Sequence, residues 1–196
     1  MGIDVGLSTF AYLSTGEQIE NPRFFRAEEA ALARAQRKLS QAAKGSKKRE
    51  QRRKVVARVH ERIKRHRKDF IEQETCKLIK RFDFLAVEAL TVRNMIKNPQ
   101  LSKSIADAAW SAFTQTLLAK AEEAERTVVR VNPAYTSQTC SACGHRQPMP
   151  LSVRIYECPI CGLVIHRDHN GSTNILAEGL KAVGRHSRVI PEASGL

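Results

Sequence analysis

Residues 140–174 read CSACGHRQPMPLSVRIYECPICGLVIHRDHNGSTN. Two Cys-x-x-Cys pairs, Cys140/Cys143 and Cys158/Cys161, are separated by 14 residues, and Asp168 follows the last cysteine by seven. Each pair lets two thiolates reach one tetrahedral ion from a tight turn, and Gly144 and Gly162, just after the pairs, permit the positive φ that such a turn needs. The spacer is one residue short of the usual window of about 15–20, which a ribbon hairpin tolerates. The reading is a structural Zn²⁺ held by Cys140, Cys143, Cys158 and Cys161. Four sulfurs close the shell and leave no position for catalysis. A redox dithiol and a chance pairing are the alternatives. His145 and His166 stand beside the pairs and are not expected to be ligands.

Around this stretch the chain alternates strand and helix periodicity. Residues 2–13 (GIDVGLSTFAYL) are rich in β-formers and predict one strand carrying Asp4. Ser14–Glu17 predicts a turn, 18–20 a second strand and 23–25 a third. From Ala27 the period turns helical, with Leu32, Ala35, Leu39 and Ala42 on one stripe. Lys44-Gly45-Ser46 interrupts it, and a second helix from about 48 to 80 carries Val55, Val59, Ile63 and Phe70. Residues 82–88 (FDFLAVE) predict a buried central strand ending at Glu88. A loop over 91–101, a helix from 102 to about 126 with Trp110 as a core anchor, a strand at 127–131 and a last helix over about 170–180 complete the order. Cys76 reads as a small core residue.

The chain has 196 residues and a formal charge of +13. Seventeen Lys and Arg against four Glu lie between residues 26 and 68, so that segment alone carries the whole excess. A charge run is often only a solvated face, but this concentration is the footprint of a polyanion-binding surface. Arg52, Arg53, Lys54, Arg62, Lys64 and Arg65 are the candidate contacts. No apolar run approaches the ~20 residues of a membrane span, no signal-peptide pattern is present, and paired cysteines suit a reducing compartment.

Asp4, Glu88 and Asp168 are weak signals singly, since an acid at a strand end is often punctuation and Asp168 reads equally as a helix N-cap. Together, on a meander–helix–strand–helix–strand–helix order, they fit an RNase H-like fold whose acids hold two Mg²⁺ ions for phosphodiester hydrolysis.

The motifs resemble the TnpB (OrfB) proteins of bacterial and archaeal insertion sequences, which are described as transposases. They are RuvC-like, RNA-guided DNA endonucleases related to type V CRISPR effectors. The matching stretches are residues 2–26, FLAVEAL (84–90), NMIKNPQLSKSIADAAWSAF (94–113), YTSQTCSACGH (135–145) and ECPICGLVIHRDHNGSTNIL (157–176). The resemblance implies an α/β fold, an RNase H-like (RuvC-type) mixed sheet with a long basic helical hairpin insertion and an inserted zinc ribbon. It divides the chain into a first RuvC-like part with a three-strand meander (1–26), the hairpin (27–81), a second RuvC-like part (82–134), the ribbon (135–166), a last RuvC-like segment (167–183) and a tail (184–196). Asp4, Glu88 and Asp168 become the catalytic carboxylates, with Mg²⁺ or Mn²⁺. Arg154 matches an arginine of the family's nuclease lobe, which makes it an expected contact to the scissile strand. DNA and a guide RNA are the implied partners, in a bacterial or archaeal cytoplasm.

Two departures stand out. The family usually reads Asp-Arg-Asp where this chain has His166-Arg167-Asp168. Family members also carry a long region ahead of the first catalytic strand, so this chain reads as a fragment, a truncated gene product or a mis-started reading frame that cuts poorly alone. A non-catalytic nucleic-acid-binding remnant or repressor is the alternative function. A purely structural zinc protein would account for the cysteines but not for the acids.

Overall fold

The computed structural model describes residues 1–184 apart from Ile96 and Leu151. From residue 185 on, the expected tail lies outside the described residues. The chain folds as two compact units.

The first unit comprises residues 1–20, 82–91 and those from 121 onward. Its strands are β1 (Gly2–Val5), β2 (Thr9–Leu13), β3 (Gln18–Glu20), β4 (Phe84–Glu88) and β5 (Thr127–Val131), in a single sheet of order β3-β2-β1-β4-β5. The β1–β2–β3 meander is antiparallel, whereas β4 is parallel to both β1 and β5. The sheet is therefore mixed. Leu85, Ala86 and Val87 are all buried, so both faces of β4 are shielded from water, which is why its sequence is a continuous apolar run rather than an alternation. A small two-stranded ribbon, β6 (Ile155–Glu157) with β7 (Val164–His166), runs directly into α6 (Arg167–Ala182). This last helix packs on β1, β4 and β5.

The second unit comprises residues 21–81 and 92–120. It holds α1 (Phe24–Ser40), α2 (Lys47–Arg81), the short α3 (Val92–Met95), α4 (Ser102–Ala108) and most of α5 (Trp110–Glu123). Helices α1 and α2 form a hairpin around Leu32, Val59 and Ile63, with Phe24, Phe25 and Val56 packed alongside. The turn between them is capped on both sides. Arg49 donates to the Leu39 and Ala42 carbonyls at the end of α1, and the Ser46 hydroxyl accepts from the Arg49 amide at the start of α2. At the other end of α1, both carboxylate oxygens of buried Asp107 accept from the Phe25 amide, and Arg67 pairs with Asp107 at 2.8 Å.

Several expectations are corrected. The β-rich run 2–13 is two strands, because Gly6-Leu7-Ser8 turns the chain and the Gly6 amide donates to the Phe10 carbonyl. The meander therefore closes by Glu20, and residues 23–25 are no strand. Arg23 takes a left-handed φ of 48° and α1 begins at Phe24. The helix expected over 102–126 breaks at Ala109, where φ is 53°. In the α2 seam, Val55 is exposed and Val56 takes its place against the core. Trp110 is buried as expected, and Cys76 is half-buried.

Asp107 ties a helix N-terminus to a guanidinium out of water. Its removal by Asp107→Ala strands both partners, and chemical denaturation is expected to show a loss of about 2–4 kcal/mol. A loss under about 0.5 kcal/mol, the size of an ordinary surface change, would contradict this account of α1.

Candidate functional site

Pairing between β1 and β4 aligns Gly2 with Ala86 and Ile3 with Val87. One residue further along that register, Asp4 stands beside Glu88, on neighbouring strands ~4.8 Å apart. Asp168 approaches from α6. It lies in the first turn of the helix, and Gly171, three residues on and therefore on the same helix face, points its missing Cβ at Asp4. A Cβ there would sit 2.7 Å from the Asp4 Oδ2 atom, so a larger residue would have to displace the carboxylate. The sheet and α6 thus bring together all three acids expected from the sequence.

Their electrostatics follow from that placement. Burial, then the charges of Glu88 and Asp168, raise the Asp4 carboxyl well above the usual range, and the Arg167 guanidinium offsets part of this. Glu88 is raised by burial and drawn back by the Thr136 hydroxyl, which donates to its Oε1 atom at 2.6 Å. Arg167 lies 3.4 Å from Asp168 Oδ1, and Arg154 Nη1 lies 4.0 Å from Oδ2. Arg154 is otherwise half-exposed, so its guanidinium is open to solvent at the mouth of the site.

The N-cap of α6 is His166, not Asp168. Its Nδ1 accepts from the Asp168 amide, so the helix starts at Arg167, three residues before the start expected. The Tyr12 ring stacks on His166 at 4.9 Å and on His169 at 5.9 Å, which fixes both histidines beside the acids. The Asp168 carboxylate is thereby spared capping duty and left beside Asp4 and Glu88.

The four cysteines close into a second site. Their sulfurs lie within 4.8 Å of one another, with Cys140–Cys161 at 3.6 Å and Cys143–Cys158 at 3.5 Å. A tetrahedral ZnS₄ centre with bonds of ~2.3 Å has sulfur–sulfur edges of ~3.8 Å, so the donor set and its size fit zinc. The two knuckles repeat each other. Cys140 and Cys158 amides donate to the His145 and Leu163 carbonyls, and Gly144 and Gly162, at φ 75° and 73°, donate back to Cys140 and Cys158. Tyr156 is fully buried against Cys140 and Cys158. Backbone amides of Cys161 and Ile160 draw the Cys158 thiol down to about 6. At Cys143 the His145 amide pulls the same way but is outweighed by burial and the neighbouring sulfurs, which push it up to about 12. Neither His145 nor His166 belongs to the cluster.

Among the described residues, the cysteines are the group drawn tightly enough to share one ion. Asp4, Glu88 and Asp168 do not form such a tight group.

The basic candidates lie along α2. Lys54, Arg62 and Arg65 pair with Glu50, Glu28 and Glu61, at 3.2, 2.7 and 3.0 Å, while Arg53 and Lys64 are exposed and Arg52 is half-buried. Exposed pairs of this kind are worth only about 0–1 kcal/mol, so the cations remain available to a polyanion.

Sequence reading missed Thr136, Gly171, Asn170 and Asn174. Asn170 is fully buried, and its side chain bonds the backbone at Thr139 and Ser141. Only the recurrence of Asn at 170 and 174, one helical turn apart, hints at a shared face.

The chain has relatives among known proteins. The family described as OrfB_IS605, probable transposase, matches residues 1–99. The chain belongs to that family. The Cas12f1-like TNB domain matches residues 110–175, across the cysteine module. A Streptomyces pristinaespiralis protein named a candidate RNA-guided DNA endonuclease is 42% identical over 184 residues, covering 93% of this chain and 46% of that protein. InsQ of Escherichia coli K12, named in the same way, is 32% identical, covering 91% of this chain and 48% of its own length. The chain thus spans about half the length of these relatives. The fold is that of Cas12f1. A cryo-EM structure of a Cas12f1–sgRNA–target DNA complex superposes with a TM-score of 0.62 at 19% identity, over 89% of this chain and 48% of the other. No helix among the described residues is long and apolar enough to cross a membrane.

The raised Asp4 carboxyl makes a signed prediction. An acid whose folded pKa lies above its unfolded value costs stability once pH exceeds the unfolded value of ~3.9, and the cost vanishes below it. In metal-free protein at pH 7, Asp4→Asn is expected to raise Tm by roughly 2–4 °C, for about 1 kcal/mol regained. The gain should shrink as pH falls towards ~4. A lower Tm for the variant at pH 7 would contradict this reading of the site.

Proposed function

We propose that this chain is the nuclease portion of an RNA-guided DNA endonuclease with an RNase H-like, RuvC-type fold. Asp4, Glu88 and Asp168 hold Mg²⁺ or Mn²⁺ in it, and Cys140, Cys143, Cys158 and Cys161 hold Zn²⁺. The observation that carries the reading is that acids from two parallel strands and the last helix, far apart in sequence, press charge on one another in a half-buried recess. Structure alone disfavours such an arrangement, since like charges side by side in low dielectric repel strongly. A divalent pair would relieve that repulsion and supply Lewis-acid stabilisation of the attacking and leaving oxygens of a phosphodiester.

The chain's own residues then have separable tasks. Asp4 and Glu88, on adjacent strands, set the floor of the site. Asp168 closes it from α6, while Arg167 offsets negative charge from the side and Thr136 orients Glu88. Arg154, at the mouth, is positioned to neutralise a phosphate of the strand being cut. Arg52, Arg53, Lys54, Arg62, Lys64 and Arg65 would track nucleic-acid backbone without reading sequence, which base pairing with the guide supplies. Binding through such a surface weakens steeply with salt. Relatives named RNA-guided endonucleases and the likeness to Cas12f1 support the partners, DNA and guide RNA.

The test joins this chain to the part of a relative that it does not span, with that relative's guide RNA, and follows Mg²⁺-dependent nicking of a matched plasmid. Asp4→Ala, Glu88→Ala and Asp168→Ala are each expected to cut nicking by roughly 10³-fold, the several kcal/mol a metal clamp contributes, with guide binding unchanged. Equal nicking by the wild type and the triple variant would overturn the assignment. Nucleic-acid binding without metal-dependent nicking under any guide condition would favour a binding remnant or repressor instead.

A further inference from the structure

The loop 136–141, which leads into the first cysteine knuckle, is fastened to α6 by side-chain amides. Asn170 straddles Cys140. Its Nδ2 donates to the Thr139 carbonyl at 2.7 Å, and its Oδ1 accepts from the Ser141 amide at 2.9 Å. One turn along the helix, Asn174 donates to the Thr139 and Thr136 carbonyls at 2.7 and 2.8 Å. Asn170 is fully buried, and Thr136 is 7% exposed. The same Thr136 turns its hydroxyl the other way, onto Glu88 Oε1 at 2.6 Å. One short loop thus carries a zinc-ligand candidate at one end and holds a carboxylate at the other. Its fasteners sit two and six residues beyond Asp168 on the same helix.

We propose that Thr136, Asn170 and Asn174 are positioning residues that transmit the shape of the cysteine knuckle to Glu88 and to the first turn of α6, so that zinc at the cysteines tightens divalent-metal binding at the acids. This rests on the nuclease reading above. Amides that merely filled a helix–loop interface would need no continuation to Glu88. Here the chain of hydrogen bonds runs unbroken from the residues flanking Cys140, through Asn170 and Asn174, to the backbone and then the hydroxyl of Thr136. Hydrogen bonds to a ligating carboxylate act in this way at metal sites generally, by holding the donor atom in place before the ion arrives.

The test is calorimetric titration of Mn²⁺ into the zinc-loaded chain, with Asp4→Asn as the control for binding at the acids. Thr136→Val keeps the side chain's shape and loses the hydroxyl. It is expected to weaken Mn²⁺ binding about tenfold, the size of one hydrogen bond to a charged group, with zinc content unchanged, and Thr136→Ser should restore it. Cys143→Ser, which opens the knuckle, should weaken Mn²⁺ binding similarly, and the double variant should be no weaker than the worse single one. If Cys143→Ser fails to fold, Asn170→Ala keeps all four sulfurs and takes its place in the cycle. Wild-type Mn²⁺ affinity in Thr136→Val, or full additivity in the double variant, overturns the transmission while leaving the nuclease reading intact. Absence of Mn²⁺ binding in the wild type, or binding untouched by Asp4→Asn, overturns both.

Discussion

Parallel pairing of β1 with β4 forces two carboxylates side by side, and much of the first unit is arranged around that constraint. Like charges placed side by side repel, and burial adds to the cost. The register that puts Asp4 beside Glu88 is set by apolar residues, Ile3 and Leu85 through Val87, whose burial stabilises the sheet. Helix α6 then brings Asp168 to the same place, so close that a Cβ at position 171 would press on the Asp4 carboxylate. Arg167 and Thr136 offset part of the cost, and the remainder is what a divalent ion would relieve.

The cysteine module has a dependent geometry. Its ribbon delivers the chain into α6, and β7 ends at the residue that caps the helix. His166 supplies the capping nitrogen, so the helix starts without drawing on the Asp168 carboxylate. Tyr12 stacking holds that ring in register with the sheet. Zinc knuckle, helix cap and carboxylate recess thus form one continuous piece of structure, although the sequence presents them as separate motifs.

The cysteines were legible because their chemistry is local. Spacing alone fixes what two thiolates and a glycine can do. The acids were legible because strand ends and a helix start are local too, and the sheet order brought them together. Legibility failed where tertiary packing or a single backbone angle decided the outcome. A β-rich run hid the Gly6-Leu7-Ser8 turn, since both halves favour extended backbone. Asp107, more than 80 residues away, caps the start of α1, which no local pattern around Phe24 reveals. Ala109 breaks a helix despite being the best helix former, because it adopts a left-handed conformation. Thr136, Asn170 and Asn174 look like ordinary polar loop and helix-surface residues until their partners, 29 to 48 residues away in sequence, are in place.

The most direct test of the central claim is anomalous diffraction from crystals of this chain soaked in Mn²⁺. Two peaks ~3.5–4 Å apart are expected among Asp4, Glu88 and Asp168. Manganese absent from that recess, at concentrations that fill other surface carboxylates, would contradict it.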